Sequence, residues 1–129
     1  MIWYVAAGGA AGSVLRFLLS SAIQQQTGGE LPLGTLMINI TGSLLLGFLM
    51  EYALSSPAIS REVRALVTTG FCGGYTTFST FSYESIKLLQ EGDYRHAGVY
   101  VGLSVLVSLA GAFAGIALAR ELLALRRLA

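Results

Sequence analysis

The stretch GFCGGYTTFSTFS, residues Gly70–Ser82, decides the fold. It lies inside a run long enough to cross a bilayer, yet it contains three glycines and six hydroxyl-bearing residues. Gly73 and Gly74 each disfavour a helix by about 1 kcal/mol relative to alanine, and the threonines that follow compete for main-chain hydrogen bonds. We therefore expect a break in the helix near Gly73 to Thr76. At membrane depth, such a break persists only where it is buried in protein or lines a wet cavity.

The rest of the chain has the composition of a membrane protein. Of the 129 residues, 54% are hydrophobic and only 12% are charged, and the mean hydropathy is +0.69. No basic segment precedes the first apolar run, so we expect that run to remain as a membrane helix rather than a cleaved signal peptide. The sequence predicts an all-α integral membrane protein with one four-helix domain, residues 1–129, whose third helix is broken near its middle. The predicted spans, each near the roughly 20 residues that cross a bilayer, are Ile2–Ile23, Leu33–Leu54, Val63–Leu89 and Ala97–Ala119.

Several functions find no support in the composition. The lone Cys72 excludes an intrachain disulfide and leaves no thiol cluster for zinc or redox chemistry. The single His96, at the head of the fourth run, favours interfacial placement over metal ligation. A net charge of +1 indicates no nucleic-acid partner, and no phosphate-binding GxxxxGK[ST] motif indicates a nucleotide. Without a nucleophile–base pair or a metal-ligand set, the chain is not expected to be an enzyme.

Small and polar residues recur at every fourth position, and each set therefore shares one face of a predicted helix. The glycines at this spacing favour close helix packing, and polar stripes on three helices can surround a hydrophilic path. Four short helices make a thin bundle around such a path, so we expect a dimer. The sets are Gly8, Gly12, Arg16 and Ser20; Thr35, Asn39 and Ser43; Tyr100, Ser104 and Ser108; and the pairs Gly98 with Gly102 and Gly111 with Gly115.

Arg16 and Asn39 are the most informative polar residues in the first two spans. A guanidinium about seven residues inside a span either snorkels to the nearer interface or faces a water-filled vestibule that attracts anions. The Asn39 amide, which would cost several kcal/mol if buried without partners, either links two helices or lines a pore. Both alternatives remain open from the sequence alone.

Beyond the expected break, two phenylalanines share a helical sector with polar residues. At 100° per residue, Thr77, Phe81, Ser85 and Phe78 fall together and Glu84 lies on their flank. Rigid ring edges are positive and could weakly stabilise a partly dehydrated anion, which suits conduction; the alternative is that both rings face lipid or core. The carbonyls that a break exposes could also hold Na⁺ or K⁺, as in broken-helix transporters.

The stretch Gly70–Ser82 closely resembles the third-helix signature of the small bacterial fluoride channels, the Fluc or CrcB family. Cys72 and Tyr75 stand where a larger aliphatic residue and a phenylalanine are more usual in that family. The resemblance extends over almost the whole chain through Arg16, through the segment Asn39-Ile40-Thr41-Gly42-Ser43, and through Tyr100, Ser104 and Ser108.

The resemblance implies a homodimer in the bacterial inner membrane, with subunits inserted in opposite orientations and two antiparallel fluoride pores. The slight bias of Lys and Arg among the short connections is compatible with this dual topology. The implied activity is passive export of fluoride, which relieves its toxicity. The implied cofactor is a structural Na⁺ at the dimer interface, held by the backbone carbonyls of Gly73 and Thr76.

The resemblance also assigns residues to the pore. The ring edges of Phe78 and Phe81 and an amide hydrogen of Asn39 would meet fluoride, and Arg16 would shape the vestibule. The remaining pore residues that it implies are Thr35, Thr77, Glu84, Tyr100, Ser104 and Ser108.

Two other functions are compatible with four spans of this length. A small proton-coupled multidrug exporter needs a titratable carboxylate deep in the membrane, but the first run has none, and Glu51 and Glu84 lie toward span ends. A noncatalytic membrane assembly subunit would use its glycine faces only for packing. Such a subunit would not need stacked polar stripes or paired phenylalanines.

Overall fold

The computed structural model describes all 129 residues as helices joined by short connections, with no strand. The prediction of an all-α protein with membrane-spanning helices is confirmed, because three of the helices are long and apolar enough to cross a membrane. These three are α1 (Ile2–Thr27), α2 (Leu33–Ser55) and α6 (Tyr94–Leu128). Between them lie α3 (Arg61–Ala65), a π-helical segment (Leu66–Cys72), α4 (Gly73–Tyr75) and α5 (Phe78–Gln90).

Two of the helices extend well past the apolar runs that predict them. Helix α1 continues to Thr27 and ends where Gly28 adopts a φ of 54°, with its N–H donating to the carbonyl of Gln24 at 3.0 Å. Helix α6 begins at Tyr94, after the N-cap residue Asp93, and continues to Leu128. Hydropathy marks where a span leaves the hydrocarbon, whereas the helix continues until a cap satisfies its terminal groups.

Glycines bring α1 into main-chain contact with the π-helical segment. A Cβ atom on Gly8 would collide with the carbonyl oxygen of Leu66, and one on Gly12 would collide with that of Phe71. Such close approach increases dispersion contact between helices in a solvent as apolar as the side chains. The packing role that the sequence favours for Gly8 and Gly12 is therefore the one they have.

Helices α2 and α6 form the most extensive helix pair. A Cβ on Gly115 would collide with the carbonyl oxygen of Leu44, so one of the two glycine pairs of α6 packs as expected. The other pair differs: nothing lies within 4 Å of a Cβ built on Gly98 or Gly102. The face of α6 that carries Gly98 and Gly102 is therefore not covered by another helix of the same chain.

The chain leaves the helical conformation at Thr76 and Thr77. Both residues are extended, with φ and ψ of −85° and 158° and of −151° and 113°. This position overlaps the expected range, Gly73 to Thr76, only at its last residue, because Gly73 and Gly74 remain helical. Gly74 is needed for close packing against α1, because a Cβ atom there would lie 2.5 Å from the carbonyl oxygen of Gly9. The Thr77 hydroxyl accepts from the N–H of Thr80 at 3.2 Å and so restarts the helix as its N-cap.

Candidate functional site

Two cavities flank α5, and all the predicted pore residues except Tyr100 line one or the other. The first, which we call the groove, has a volume of about 360 Å³ between α2, the Thr76–Thr77 break and α6. The second, the outer cavity, has a volume of about 430 Å³, and its lining includes Thr35 and Glu84. The predicted pore residues that line the groove are Asn39, Thr77, Phe78, Phe81, Ser104 and Ser108.

The side chain of Asn39 holds the main chain at the break. Its Nδ2 donates to the carbonyl oxygen of Thr77 at 3.0 Å, and its Oδ1 accepts from the N–H of Thr77 at 2.8 Å. Because the interrupted helix offers these two groups no partner, the amide supplies the hydrogen bonds that this half-buried main chain needs. An amide nitrogen carries two protons, so one remains for an acceptor in the groove. Asn39 can therefore both link α2 to the break and form part of the groove wall.

Three aromatic rings follow one another between the two cavities. The centroids of Phe78 and Phe81 are 5.5 Å apart with the planes at 48°, and those of Phe81 and Tyr100 are 5.5 Å apart at 54°. Tilted pairs bring a positive ring edge toward its neighbours. The Phe78 side chain is 78% exposed in the single chain, Phe81 is half-buried and Tyr100 is fully buried. The row therefore runs from an open side of the groove to the interior.

Glu84 accepts hydrogen bonds from two residues beside the outer cavity. Thr35 Oγ1 donates to Glu84 Oε1 at 2.7 Å, and the Tyr100 hydroxyl donates to Glu84 Oε2 at 3.3 Å. The ring of Tyr100 contacts Phe81, which lines the groove. The side chain of Tyr100 therefore connects the outer cavity to the groove, and Thr35 and Glu84 lie at the other end of this connection.

Ser104 and Ser108 line the groove, and their hydroxyl groups have no partner within the chain. The Oγ atoms of both are buried and have no hydrogen-bond partner in the chain. Buried hydroxyls nearly always have a partner, and these two lie one helical turn apart on the face of α6 that also carries Tyr100. The groove therefore offers two donors to a polar species within it.

The carbonyl oxygens of Gly73 and Thr76 do not receive the usual helical hydrogen bonds. The N–H of Thr77, which would reach Gly73, donates to Asn39 instead, and the N–H of Thr80, which would reach Thr76, donates to the Thr77 hydroxyl. A Cβ on Gly73 would meet nothing within 4 Å, so this part of the main chain borders open space. These carbonyls are chemically suited to a hard cation, which prefers oxygen ligands at the ends of half-helices.

Arg16 lies at the break rather than in either cavity. Its Nε donates to the carbonyl oxygen of Gly74 at 3.0 Å, beside the Ser13 hydroxyl, which donates to the same oxygen at 3.4 Å. A guanidinium is favourable there because the helix that ends at Tyr75 carries partial negative charge on its last carbonyls. This contact joins α1 to the end of the first half-helix. The role of Arg16 in a vestibule stays a prediction.

One cluster of titratable side chains was not predicted from the sequence. His96 Nδ1 lies 2.7 Å from Asp93 Oδ2 and 3.3 Å from Glu30 Oε2. Asp93 stands three residues before His96 and could have been recognised as its neighbour from helical spacing. Glu30 belongs to the connection between α1 and α2, and no periodic signal in the sequence relates it to the start of α6.

These features define the class of the protein: a small helical protein whose long apolar helices are suited to a membrane. The particular family follows from comparison. The family model described as "CrcB-like protein, Camphor Resistance (CrcB)" matches residues 3–116. The chain belongs to the CrcB family, and the resemblance recognised in its sequence is confirmed.

Curated relatives are similar over nearly their whole length. A protein of Syntrophotalea carbinolica is 50% identical over 119 residues, which cover 92% of this chain and 97% of the relative. A protein of Geobacter sulfurreducens is 46% identical over 92% of this chain and 95% of its own, and one of Rhizobium meliloti is 46% identical over 94% and 97%. All three are named fluoride-specific ion channel FluC. They are thus named as channels, a class of proteins that are not enzymes.

Proposed function

We propose that the protein is a passive, fluoride-selective channel that exports fluoride across the bacterial inner membrane. The observation that carries this proposal is the groove, where the Phe78 and Phe81 rings lie beside the unpartnered hydroxyls of Ser104 and Ser108. The names of the curated relatives support the same ion.

The donors of the groove suit fluoride because this ion is strongly hydrated. A narrow pore must replace the lost water with several modest interactions, since one deep binding well would trap the ion. Two hydroxyls, one spare proton of the Asn39 amide and two ring edges provide such interactions, and no Lys or Arg side chain lines the groove. Flow needs no energy source beyond the electrochemical gradient. Because the neutral acid enters cells in acidic surroundings and ionises inside, export relieves fluoride toxicity.

The path proposed for the ion joins the two cavities. Fluoride exchanges water for the hydroxyls of Ser108 and Ser104 in the groove and passes the edges of Phe78 and Phe81. The Tyr100 hydroxyl, which is bonded to Glu84, then leads to the outer cavity. Thr35, which also donates to Glu84, belongs to the same hydrogen-bonded end of the path.

The finer architecture that we propose is four spans per subunit and an antiparallel homodimer. Residues 61–90, from the start of α3 to the end of α5, form the third span with its interruption at Thr76–Thr77. A single chain leaves Phe78 78% exposed and the main chain at Gly73 uncovered. A second copy in the opposite orientation would cover these surfaces and give two antiparallel pores.

The carbonyl oxygens of Gly73 and Thr76 are proposed to hold a structural Na⁺ at the dimer interface. Two oxygens from each of two subunits would supply four ligands of the hard type that alkali cations prefer. A fixed positive charge between the pores would attract anions over a longer range than the groove dipoles. Without these oxygens from a second copy, one chain offers too few ligands for the ion.

An experimental structure of the purified protein in lipid, prepared in Na⁺ buffer, tests the assembly and the cation together. We expect an antiparallel pair with a spherical density between the Gly73 and Thr76 carbonyls, absent when a bulky organic cation replaces Na⁺ throughout. A monomer or a parallel pair would contradict the assembly. An antiparallel pair without this density would contradict the cation alone.

Efflux from liposomes tests the conduction of fluoride. Vesicles containing the protein and loaded with potassium fluoride should release fluoride to an ion-selective electrode when valinomycin carries the compensating K⁺, because a passive channel needs only the gradient. Chloride-loaded vesicles should release very little chloride.

Protein-free vesicles give the background rate of release, and a pH gradient with a cationic dye tests the alternative of a proton-coupled exporter. Fluoride release no faster than this background would overturn the proposal. Dye transport driven by the pH gradient would favour the exporter instead.

A further inference from the structure

The geometry points to a binding site for a divalent first-row transition metal ion, with Zn²⁺ as its natural probe, formed by Glu30, Asp93 and His96. The site is separate from the groove and from the Gly73–Thr76 carbonyls. Its three side chains come from the connection between α1 and α2 and from the start of α6, and Glu30 also lines the outer cavity.

The distances between the three ligand atoms approach those of a tetrahedral metal site. One atom from each side chain lies within 4.8 Å of the other two. Zinc bonds of about 2.0–2.2 Å place neighbouring tetrahedral ligands about 3.4 Å apart. His96 Nδ1 and Glu30 Oε2 are already 3.3 Å apart, whereas His96 Nδ1 and Asp93 Oδ2, now at hydrogen-bond distance of 2.7 Å, must separate slightly. Binding therefore requires a small rotation of the Asp93 carboxyl.

Hydrogen bonds hold the main chain on both sides of Glu30. The Gln24 side chain donates to the carbonyls of Gly29 and Leu31 at 3.3 and 3.2 Å, and it accepts from the N–H of Gly34 at 3.2 Å. The connection between α1 and α2 is therefore tied to the end of α1 next to the site. A ligand on a fixed loop loses less conformational freedom on binding than one on a free loop.

The helix cap fixes Asp93 and His96 relative to each other. Asp93 Oδ1 accepts from the N–H of His96 at 3.2 Å, which leaves Oδ2 facing the imidazole. The N–H of Asp93 donates to the carbonyl of Leu88 at 2.9 Å, and Gly92 makes the preceding turn with a φ of 78°.

The donor set indicates which ions suit the site. One imidazole nitrogen and two carboxylate oxygens fit Zn²⁺ and its neighbours, whereas Mg²⁺ prefers oxygen ligands alone. The Glu30 side chain is 76% exposed, so water has access to the fourth position. Lys87 and Glu91, which line the same cavity, are 4.0 Å from each other and do not supply ligands to the cluster. A bound cation would tie the α1–α2 connection to α6 and add positive charge where an anion enters the outer cavity.

Calorimetric titration of the purified full-length protein with Zn²⁺ tests the site without depending on fluoride flux. We expect saturable binding of one ion per chain, unaffected by excess Mg²⁺. His96→Ala and Glu30→Gln should each weaken binding at least about tenfold, since even the loss of a supporting partner has an effect of this size. Asp93→Asn should also weaken it, while asparagine still caps α6 and preserves the fold.

Glu91→Gln is the matched control, because it removes a carboxylate from the same cavity but not from the cluster. Its affinity for Zn²⁺ should equal that of the unmodified protein. The proposal fails if no saturable binding occurs, if His96→Ala binds as tightly as the original chain, or if Glu91→Gln weakens binding as much as Glu30→Gln. A failure here would leave the flux assay unaffected, so the two proposals are tested separately.

Discussion

Replacement of Asn39 by leucine is expected to lower the free energy of unfolding by about 2–6 kcal/mol and to reduce fluoride flux by at least about tenfold. The N–H and the carbonyl of Thr77 would each lose their partner, and an unsatisfied buried group costs about 1–3 kcal/mol. The flux falls because the main chain at Thr77 carries the first residue of α5, Phe78, into the groove. A change of about 1.4 kcal/mol in the barrier already alters a rate tenfold.

Chemical unfolding in detergent measures the first effect, and liposome efflux per folded protein measures the second. Ser43→Ala is the control for stability, because Ser43 is one turn further along the same face of α2 and lines the same groove without holding Thr77. Its free energy of unfolding should change by no more than about 0.5 kcal/mol. Equal stability of the Asn39→Leu and Ser43→Ala variants would show that the two hydrogen bonds at the break do not support the fold.

Phe81→Ile is expected to reduce fluoride flux by about tenfold or more while the proposed dimer remains assembled. Isoleucine preserves an apolar side chain but has no positive ring edge, and Phe81 occupies the middle of the row between Phe78 and Tyr100. The loss of about 1.4 kcal/mol of stabilisation at the highest barrier corresponds to tenfold slower flow. Phe78→Ile should act in the same direction, because its ring lines the same groove.

Phe113→Ile provides the matched control for both variants. Phe113 is on α6, is 74% exposed and does not line the groove. Its substitution should leave flux unchanged. Size-exclusion chromatography in detergent checks the assembly of every variant. If fluoride flux through both Phe78→Ile and Phe81→Ile equals that of the original protein, the aromatic ring edges do not take part in conduction.

The spacing of polar residues along each helix predicted which of them share a face. This prediction was correct for faces that pack against another helix of the chain. The four-residue spacing of Tyr100, Ser104 and Ser108 places all three on the side of α6 toward α2 and α5. Asn39 and Ser43 likewise reach the groove together. A regular helix repeats its geometry, so spacing alone carries this information.

Contacts between distant parts of the chain did not follow from periodicity. The bond from Arg16 to Gly74 joins residues 58 positions apart, and Glu30 meets His96 only because two connections lie at the same end of the bundle. The predicted range for the break, Gly73 to Thr76, includes Thr76, but the helix is interrupted at Thr76–Thr77 and not at the two glycines, because a hydroxyl cap and the Asn39 amide act there. Gly74 is required for contact with α1 instead. The conduction roles of the groove residues and the Na⁺ site remain predictions.

The π-helical segment has a consequence for chain length. Along α1, Gly8 and Gly12 are four residues apart, but their contacts Leu66 and Phe71 are five apart. The wider π-helical turns contain one more residue, so that four residues of α1 lie alongside five residues of this segment. An insertion or deletion of one residue in Leu66–Cys72 would rotate everything after it by about 100° relative to α1, carrying Thr77 away from Asn39. The number of residues in this segment is therefore as strictly determined as their identity.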